Sequence, residues 1–354
     1  MADDIYRLLQ QKLDQYSIGF PATESGIEIK ILKRLFDERD AKMFLAMSPQ
    51  LKTPKEIAEK VEQPVKEVSL QLNQMTEKGL LFRVIKPDRT RFSTIAFVHG
   101  LFEFQVKRLD PSFAEMVGLY DEEAFDNAML MGADYFLRTI PVNQSVELTQ
   151  NIAAIDDAME ILKSNSKIVV TDCICRKRTE VLDHSCGKPL EVCFMFGSMG
   201  QYYLDQEIGR EVQLEEAISI IKQCHESGLV TQPATSQNPG GMCNCCGDCC
   251  GVLKALKTHP KPAEMVFSNY QAFVDSDECS ACEDCLDRCQ MEAISMSEAE
   301  TAEINLSRCI GCGLCVTSCP TEAILLKLKP GDYRLPPKTT SEQMMLMAQK
   351  RGLL

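Results

Sequence analysis

Between residues 25 and 100 the apolar positions fall at helical spacing three times in succession, then switch to short alternating runs. GIEIKILKRLF carries the first helical stripe. In TPKEIAEKVEQ, Thr53 stands at an N-cap, Pro54 fits the first helical position and Glu56 follows three residues on. That is the pattern in which the cap and the third helical residue satisfy each other's backbone. Pro64 restarts the chain as PVKEVSLQLNQMTEKG, with Val65, Val68, Leu72 and Met75 three and four residues apart and Gly79 as the stop. LLFRVIKPDRTRFSTIAF then predicts two short strands around a Pro-Asp turn. Three helices and a hairpin make a unit placed at residues 1–100.

Residues 101–166 continue in helical spacing as a linking and packing region. FEFQVKRLDPSFAEMVGLY predicts a helix break at Asp110-Pro111. SVELTQNIAAIDDAMEILKSN predicts one amphipathic helix with Val146, Ile152, Ile155, Met159 and Leu162 on its buried side. KIVVTDC reads as a short buried strand that delivers Cys173 to a loop, and QLEEAISIIKQCHESG as a helix stopped by Gly228. The expected fold class is therefore α+β and multidomain. A cysteine-rich α/β domain is placed at 167–267, a further domain at 268–330 and an extension at 331–354.

Composition changes the picture through one number, 18 cysteines in 354 residues. MADDIYRLLQ has no basic start followed by an apolar core, so no secretory signal is expected. Cysteine-rich chains outside oxidising compartments hold metal more readily than disulfides. No run approaches the ~18 apolar residues of a membrane span, and a cytoplasmic protein is expected. Residues 1–110 carry 18 Lys+Arg and 16 Asp+Glu, whereas residues 111–354 carry 20 and 35, a net of −15. Such an acidic part disfavours broad nucleic-acid binding and suits docking to basic faces of partner proteins.

The chemistry is clearest in a repeat. Residues 279–289 read CSACEDCLDRC and residues 309–319 read CIGCGLCVTSC, both C-x2-C-x2-C-x3-C, offset by thirty residues, with QMEAISM and PTEAILL behind them. The duplication resembles the bacterial-type ferredoxin with two 4Fe-4S clusters. In that fold the fourth cysteine of each run serves the other cluster. The resemblance therefore implies one cluster on Cys279, Cys282, Cys285 and Cys319 and another on Cys309, Cys312, Cys315 and Cys289. Pro320 follows Cys319 as in the family, but Gln290 follows Cys289. Asp277, Glu278, Glu283, Asp284 and Asp287 surround the first run, and their charge is expected to lower the potential of the cluster it binds.

Ten cysteines remain, all between residues 173 and 250. Cys224, inside a helix with apolar neighbours, reads as a structural thiol, and His184 and His225 as surface or hydrogen-bonded histidines. The other nine are candidate metal ligands: Cys173, Cys175, Cys186, Cys193, Cys243, Cys245, Cys246, Cys249 and Cys250. They are expected in loops rich in Gly, Pro and Asn. Three occupants compete for GGMCNCCGDCCG: an iron–sulfur cluster shared with the 173–193 region, a structural zinc ion on the C-x2-C at 246–249, or a redox dithiol of Cys246 and Cys249. Side chains of adjacent cysteines diverge, so some of the five thiols in this stretch are expected to be spare or reactive.

The N-terminal unit resembles a winged helix-turn-helix domain. Its third helix offers only Lys66 and Lys78 beside Glu67 and Glu77, which favours protein docking over sequence-specific DNA reading. With the CxCR, CNCCxxCC and ferredoxin patterns, residues 25–330 resemble iron–sulfur binding proteins of anaerobic bacteria and archaea. The resemblance implies electron transfer to redox partner proteins. A redox-responsive DNA-binding regulator and an oxidoreductase with a catalytic central cluster stand as alternatives. No nucleotide, flavin or Ser/His/Asp motif identifies a small-molecule substrate or catalytic residues.

Overall fold

The computed structural model describes residues 2–142 and 154–354. The N-terminal unit comprises α1 (Ala2–Asp14), α2 (Ile27–Leu35), α3 (Glu38–Ala46), α4 (Pro54–Val61) and α5 (Val65–Glu77), followed by the antiparallel hairpin of β1 (Phe82–Lys86) and β2 (Arg89–Ser93). Thr53 and Glu56 close the expected reciprocal cap on α4. An isolated antiparallel bridge pairs Lys52 with Phe92 of β2. Helices α6 (Pro111–Tyr120) and α7 (Asp126–Phe136) follow, α6 starting where Pro111 requires and capped by the Asp110 carboxylate on the Phe113 N–H.

The single amphipathic helix expected over 145–165 is shorter in its described part. A turn at Ala154–Asp156 precedes α8 (Ala158–Lys163), because the Asp157 side chain accepts from the Met159 and Glu160 N–H groups and starts the helix there. The first half of the expected helix, with Val146 and Ile152, lies outside the described residues.

The central region comprises β3 (Ile168–Asp172), α9 (Ile174–Glu180), β4 (Glu191–Phe196), α10 (Gly197–Asp205), β5 (Arg210–Glu211), α11 (Leu214–Glu226), β6 (Val230–Pro233), β7 (Gly241–Cys245) and α12 (Gly251–Thr258). Its five strands form one antiparallel sheet in the order β5-β3-β4-β7-β6. The C-terminal region comprises β8 (Tyr270–Val274), α13 (Asp284–Arg288), the hairpin of β9 (Ile294–Met296) and β10 (Ala302–Ile304), β11 (Ile324–Leu328) paired antiparallel to β8, and α14 (Thr340–Lys350).

One apolar core runs from Leu9 and Phe20 through Phe97, Phe125 and Leu253 to Ile310 and Leu326, so the regions are packed together. Helix α14 ties the two ends of the chain. Gln343 donates to the Tyr135 and Phe136 carbonyls, and Arg351 reaches the Ser17 carbonyl and the Asp14 carboxylate. Arg138, fully buried, sits where the regions meet. It donates to the Ala234, Ser236 and Ile155 carbonyls and lies 3.4 Å from Asp156, which also accepts from Tyr333 and Asn269.

Candidate metal centres

Two pockets in the C-terminal region are each lined by four thiols. Cys279, Cys282, Cys285 and Cys319 line one, and Cys289, Cys309, Cys312 and Cys315 the other. Each pocket thus draws three cysteines from one run and one from the other. The loops curl through left-handed backbone at Ala281 (φ 56°) and Glu283 (φ 64°) in the first run and at Gly311 (φ 71°) and Gly313 (φ 73°) in the second. At Gly311 there is also no room for a side chain: a Cβ would stand 2.2 Å from the Tyr270 carbonyl oxygen.

Backbone N–H groups of Ala302 and Ala272 donate to the sulfurs of Cys279 and Cys309 at 3.4 Å, and that of Ala293 to Cys289 at 3.2 Å. Such bonds favour the thiolate, the form that binds metal. Burial opposes them, pushing Cys285 up to about 11 and Cys312 up to about 12. A soft cation in place of the proton relieves that cost. Four thiols per pocket with backbone donors aimed at sulfur fit a cubane iron–sulfur cluster.

The nine candidate thiols of the central region gather in two groups. In the first, Cys173 interacts with Cys175 and Cys193, Cys193 with Cys243, Cys243 with Cys245, Cys245 with Cys250, and Cys250 with Cys175. Six sulfurs thus close a ring. Cys173, Cys243 and Cys250 are held well below the ordinary thiol range by hydrogen bonds from the two thiols flanking each. Those neighbours, Cys175, Cys193 and Cys245, are pushed well above it.

Secondary structure, not loop, places most of these residues. Cys243 and Cys245 lie two apart on β7 and so share a face. The antiparallel register Phe194↔Met242, carried one residue further, sets Cys193 of β4 opposite Cys243. Cys173 is the N-cap of α9 with Cys175 in its first turn, and Cys250 is the N-cap of α12. The expectation of loop-borne ligands is corrected for Cys175, Cys193, Cys243 and Cys245, where regular backbone satisfies its own hydrogen bonds, and it holds for Cys186, Cys246 and Cys249.

The second group is Cys186, Cys246 and Cys249, whose sulfurs all lie within 4.8 Å of one another, with Cys186 and Cys246 3.9 Å apart. Adjacent cysteines divide as their diverging side chains require, Cys245 and Cys250 to the ring, Cys246 and Cys249 to the trio. Buried Arg176 spans the two groups, with Nη1 3.8 Å from the Cys246 sulfur and Nη2 donating to the Asn244 carbonyl at 3.0 Å. Cys224 belongs to neither group, and burial pushes it up to about 12. His225 is buried against Thr231 at 3.0 Å, and burial lowers it to about 4. His184 is exposed.

Two residues of the site carried little or no sequence signal. His99, left-handed at φ 56°, packs its ring at a tilt against Phe136 and brings Nε2 to 3.9 Å from the Cys243 sulfur. Gln290, noted only as a departure from proline, accepts from the Gly247 N–H at 2.6 Å. The residue after Cys289 therefore touches the loop of Cys246 and Cys249.

A family model described as "4Fe-4S dicluster domain" matches residues 272–326. Through this segment the chain belongs to the 4Fe-4S dicluster family. The chain is 43% identical over 53 residues to a dihydromethanopterin reductase (acceptor) of Methanosarcina mazei, covering 14% of this chain and 22% of that protein. It is 33% identical over 58 residues to pyruvate synthase subunit PorD of Methanothermobacter marburgensis, 16% of this chain and 67% of PorD. The match thus spans about a fifth of the reductase. No solved structure matches the chain. The dicluster domain accounts for the two four-thiol pockets and leaves the central thiols outside the matched segment. Among the described residues no helix is long and apolar enough to cross a membrane.

Proposed function

We propose that this protein is a cytoplasmic iron–sulfur electron-transfer protein serving partner oxidoreductases, with two 4Fe-4S clusters in the dicluster domain and a further metal centre among the central thiols. The observation that carries the reading is the 2.6 Å hydrogen bond from the Gly247 N–H to Gln290. It gives a continuous covalent and hydrogen-bonded path from Cys289, in a dicluster pocket, to Cys246 and the neighbouring Cys245 of the ring. When bound, such clusters take up and release single electrons. The chain does the rest. Arg288 donates to the His225 and Glu226 carbonyls, and Arg308 to those of Lys257 and His259, holding the two regions in register.

The N-terminal unit fits the docking role. The Lys52–Phe92 bridge supports a winged-helix reading, but the outward face of α5 exposes Val65 and Leu70. Its Lys78 is engaged by Asp37 and Asp40. That face suits a partially apolar protein partner better than phosphate. The likeness to PorD, a subunit of pyruvate synthase, supports a partner oxidoreductase. The test is iron and sulfide counting on anaerobically purified full chain and on a version lacking residues 268–330. The truncated chain is expected to keep iron. A truncated chain that still folds, by circular dichroism, and holds no metal would show the central centre to be absent.

A second reading, an oxidoreductase, is favoured by one feature. An apolar cavity of about 450 Å³, lined by Ile95, Val98, Met199 and Met344 among others, ends at His99, Glu103 and Cys243. Its size suits a small molecule, and His99 is placed to hold a proton between that molecule and the ring. A small apolar ligand that perturbs the spectrum of the reduced protein, and no longer does so in Met199→Trp, would support this reading.

A further inference from the structure

The nine central thiols raise a question of stoichiometry. A cubane takes one thiolate per iron, four in all. Nine thiols shared as one cubane would leave five idle, yet the structure leaves none of the nine outside a group. Six line one cavity and interact in a closed ring, and the other three, which do not line it, form a trio with sulfurs within 4.8 Å of one another.

We propose that these are two different centres: the six-thiol ring holds one iron–sulfur assembly of two linked cubanes, and Cys186, Cys246 and Cys249 hold a single tetrahedral ion of the zinc type. The inference deepens the proposed function and rests on its claim of a central metal centre.

Donor count supports the first part. Two cubanes present about eight irons that each need an outside ligand. One bridging sulfide between the cubanes satisfies two of them, which leaves six, the number of thiols in the ring. Space supports it independently. The two dicluster pockets measure about 10 and 20 Å³, and the cavity at the ring measures about 70 Å³, more than three times either. Phe97, Phe102, Phe125 and Phe136 line this cavity together with all six ring thiols. An apolar wall excludes water from the site. Buried Arg176 supplies positive charge to the ring, attracted to Cys173, Cys193 and Cys245.

Spacing supports the second part. A tetrahedral zinc ion with Zn–S bonds of about 2.3 Å sets its thiolates about 3.8 Å apart. Cys186 and Cys246 stand 3.9 Å apart, and Cys249 lies within 4.8 Å of both. A cubane would hold its cysteines on separate irons and further apart. The trio leaves the fourth position of the ion to another donor. Bound there, the ion would fix the 246–249 loop that meets Gln290.

The test is elemental analysis of the full chain purified without oxygen. Iron, sulfide and zinc are counted per chain and normalised to the EPR spin count of the dicluster clusters in the same sample, so that incomplete loading is corrected. The wild type is expected to hold about 16 Fe and one zinc. Cys173→Ala with Cys245→Ala should lose about half the iron and keep zinc. Cys186→Ala with Cys249→Ala should lose zinc and keep the iron.

A wild-type count of about 12 Fe overturns the linked assembly while leaving the electron-transfer reading intact. A count of about 8 Fe removes both the assembly and the central iron centre. Iron lost from the Cys186 variant, or the same metal lost from both variants, overturns the division into two centres. The wild-type count decides the first part even if a variant fails to fold.

Discussion

Gln290→Ala is the sharpest test of how the dicluster domain communicates with the central thiols. The substitution deletes the acceptor of the 2.6 Å bond from the Gly247 N–H, a part-buried contact and the one acceptor of that group among the described residues. Losing a hydrogen bond costs about 0.5–1.5 kcal/mol, and leaving the buried partner unsatisfied raises this to about 1–3 kcal/mol. The regions stay docked, because the carbonyl contacts of Arg288 and Arg308 and the Lys257–Glu292 ion pair at 2.6 Å are untouched. For a chain of this length the cost corresponds to a fall in Tm of roughly 1–4 °C. Iron content should not change, since no thiol is altered. What should change is the rate at which an electron delivered to the dicluster domain reaches the central centre, measured by rapid photoreduction with optical detection. Gln290→Pro, which restores the residue seen after Cys319, should behave the same way. An unchanged rate together with an unchanged Tm would refute the coupling, and iron loss would show that Gln290 serves its own cluster instead.

Three further outcomes are expected. Arg138→Ala leaves the Asp156 carboxylate buried without its cation and should cost about 3–5 kcal/mol, read by chemical denaturation; a cost below 1 kcal/mol would show the network to be dispensable. Gly311→Ala places a Cβ 2.2 Å from the Tyr270 oxygen at φ 71° and should lose about four irons, whereas Gly118→Ala, with open space around it, should lose none. Asp126 is raised to about 6 by burial and then by the charge of Asp121. The folded state therefore binds more protons than the unfolded state between about pH 4 and 6, and stability from this group declines as pH rises through that window. Asp126→Asn should flatten that part of the stability–pH curve, and an unaltered slope would exclude Asp126 as its source.

The dicluster repeat was legible because its ligands are local: three cysteines within seven residues define a pocket wherever the chain lies. Caps made the N-terminal helices legible for the same reason, Thr53 and Glu56 acting within one turn. The central thiols were legible as candidate ligands but not as two groups. Their division depends on the register that sets Cys193 opposite Cys243 and on α9 turning Cys173 and Cys175 inward, and both are tertiary facts. His99 carried no signal, since its place beside Cys243 arises from contact across 144 positions. Gln290 was visible as an irregularity, but its meaning needed Gly247 beside it.

The most direct measurement is a potentiometric EPR titration of the anaerobically purified full chain. The expected result is two 4Fe-4S signals reduced in separate one-electron steps, the centre of Cys279, Cys282 and Cys285 at the lower potential because five exposed carboxylates surround it. A further signal should vanish in Cys173→Ala. A protein that binds no iron, or whose iron cannot be reduced and reoxidised, would contradict electron transfer as its function.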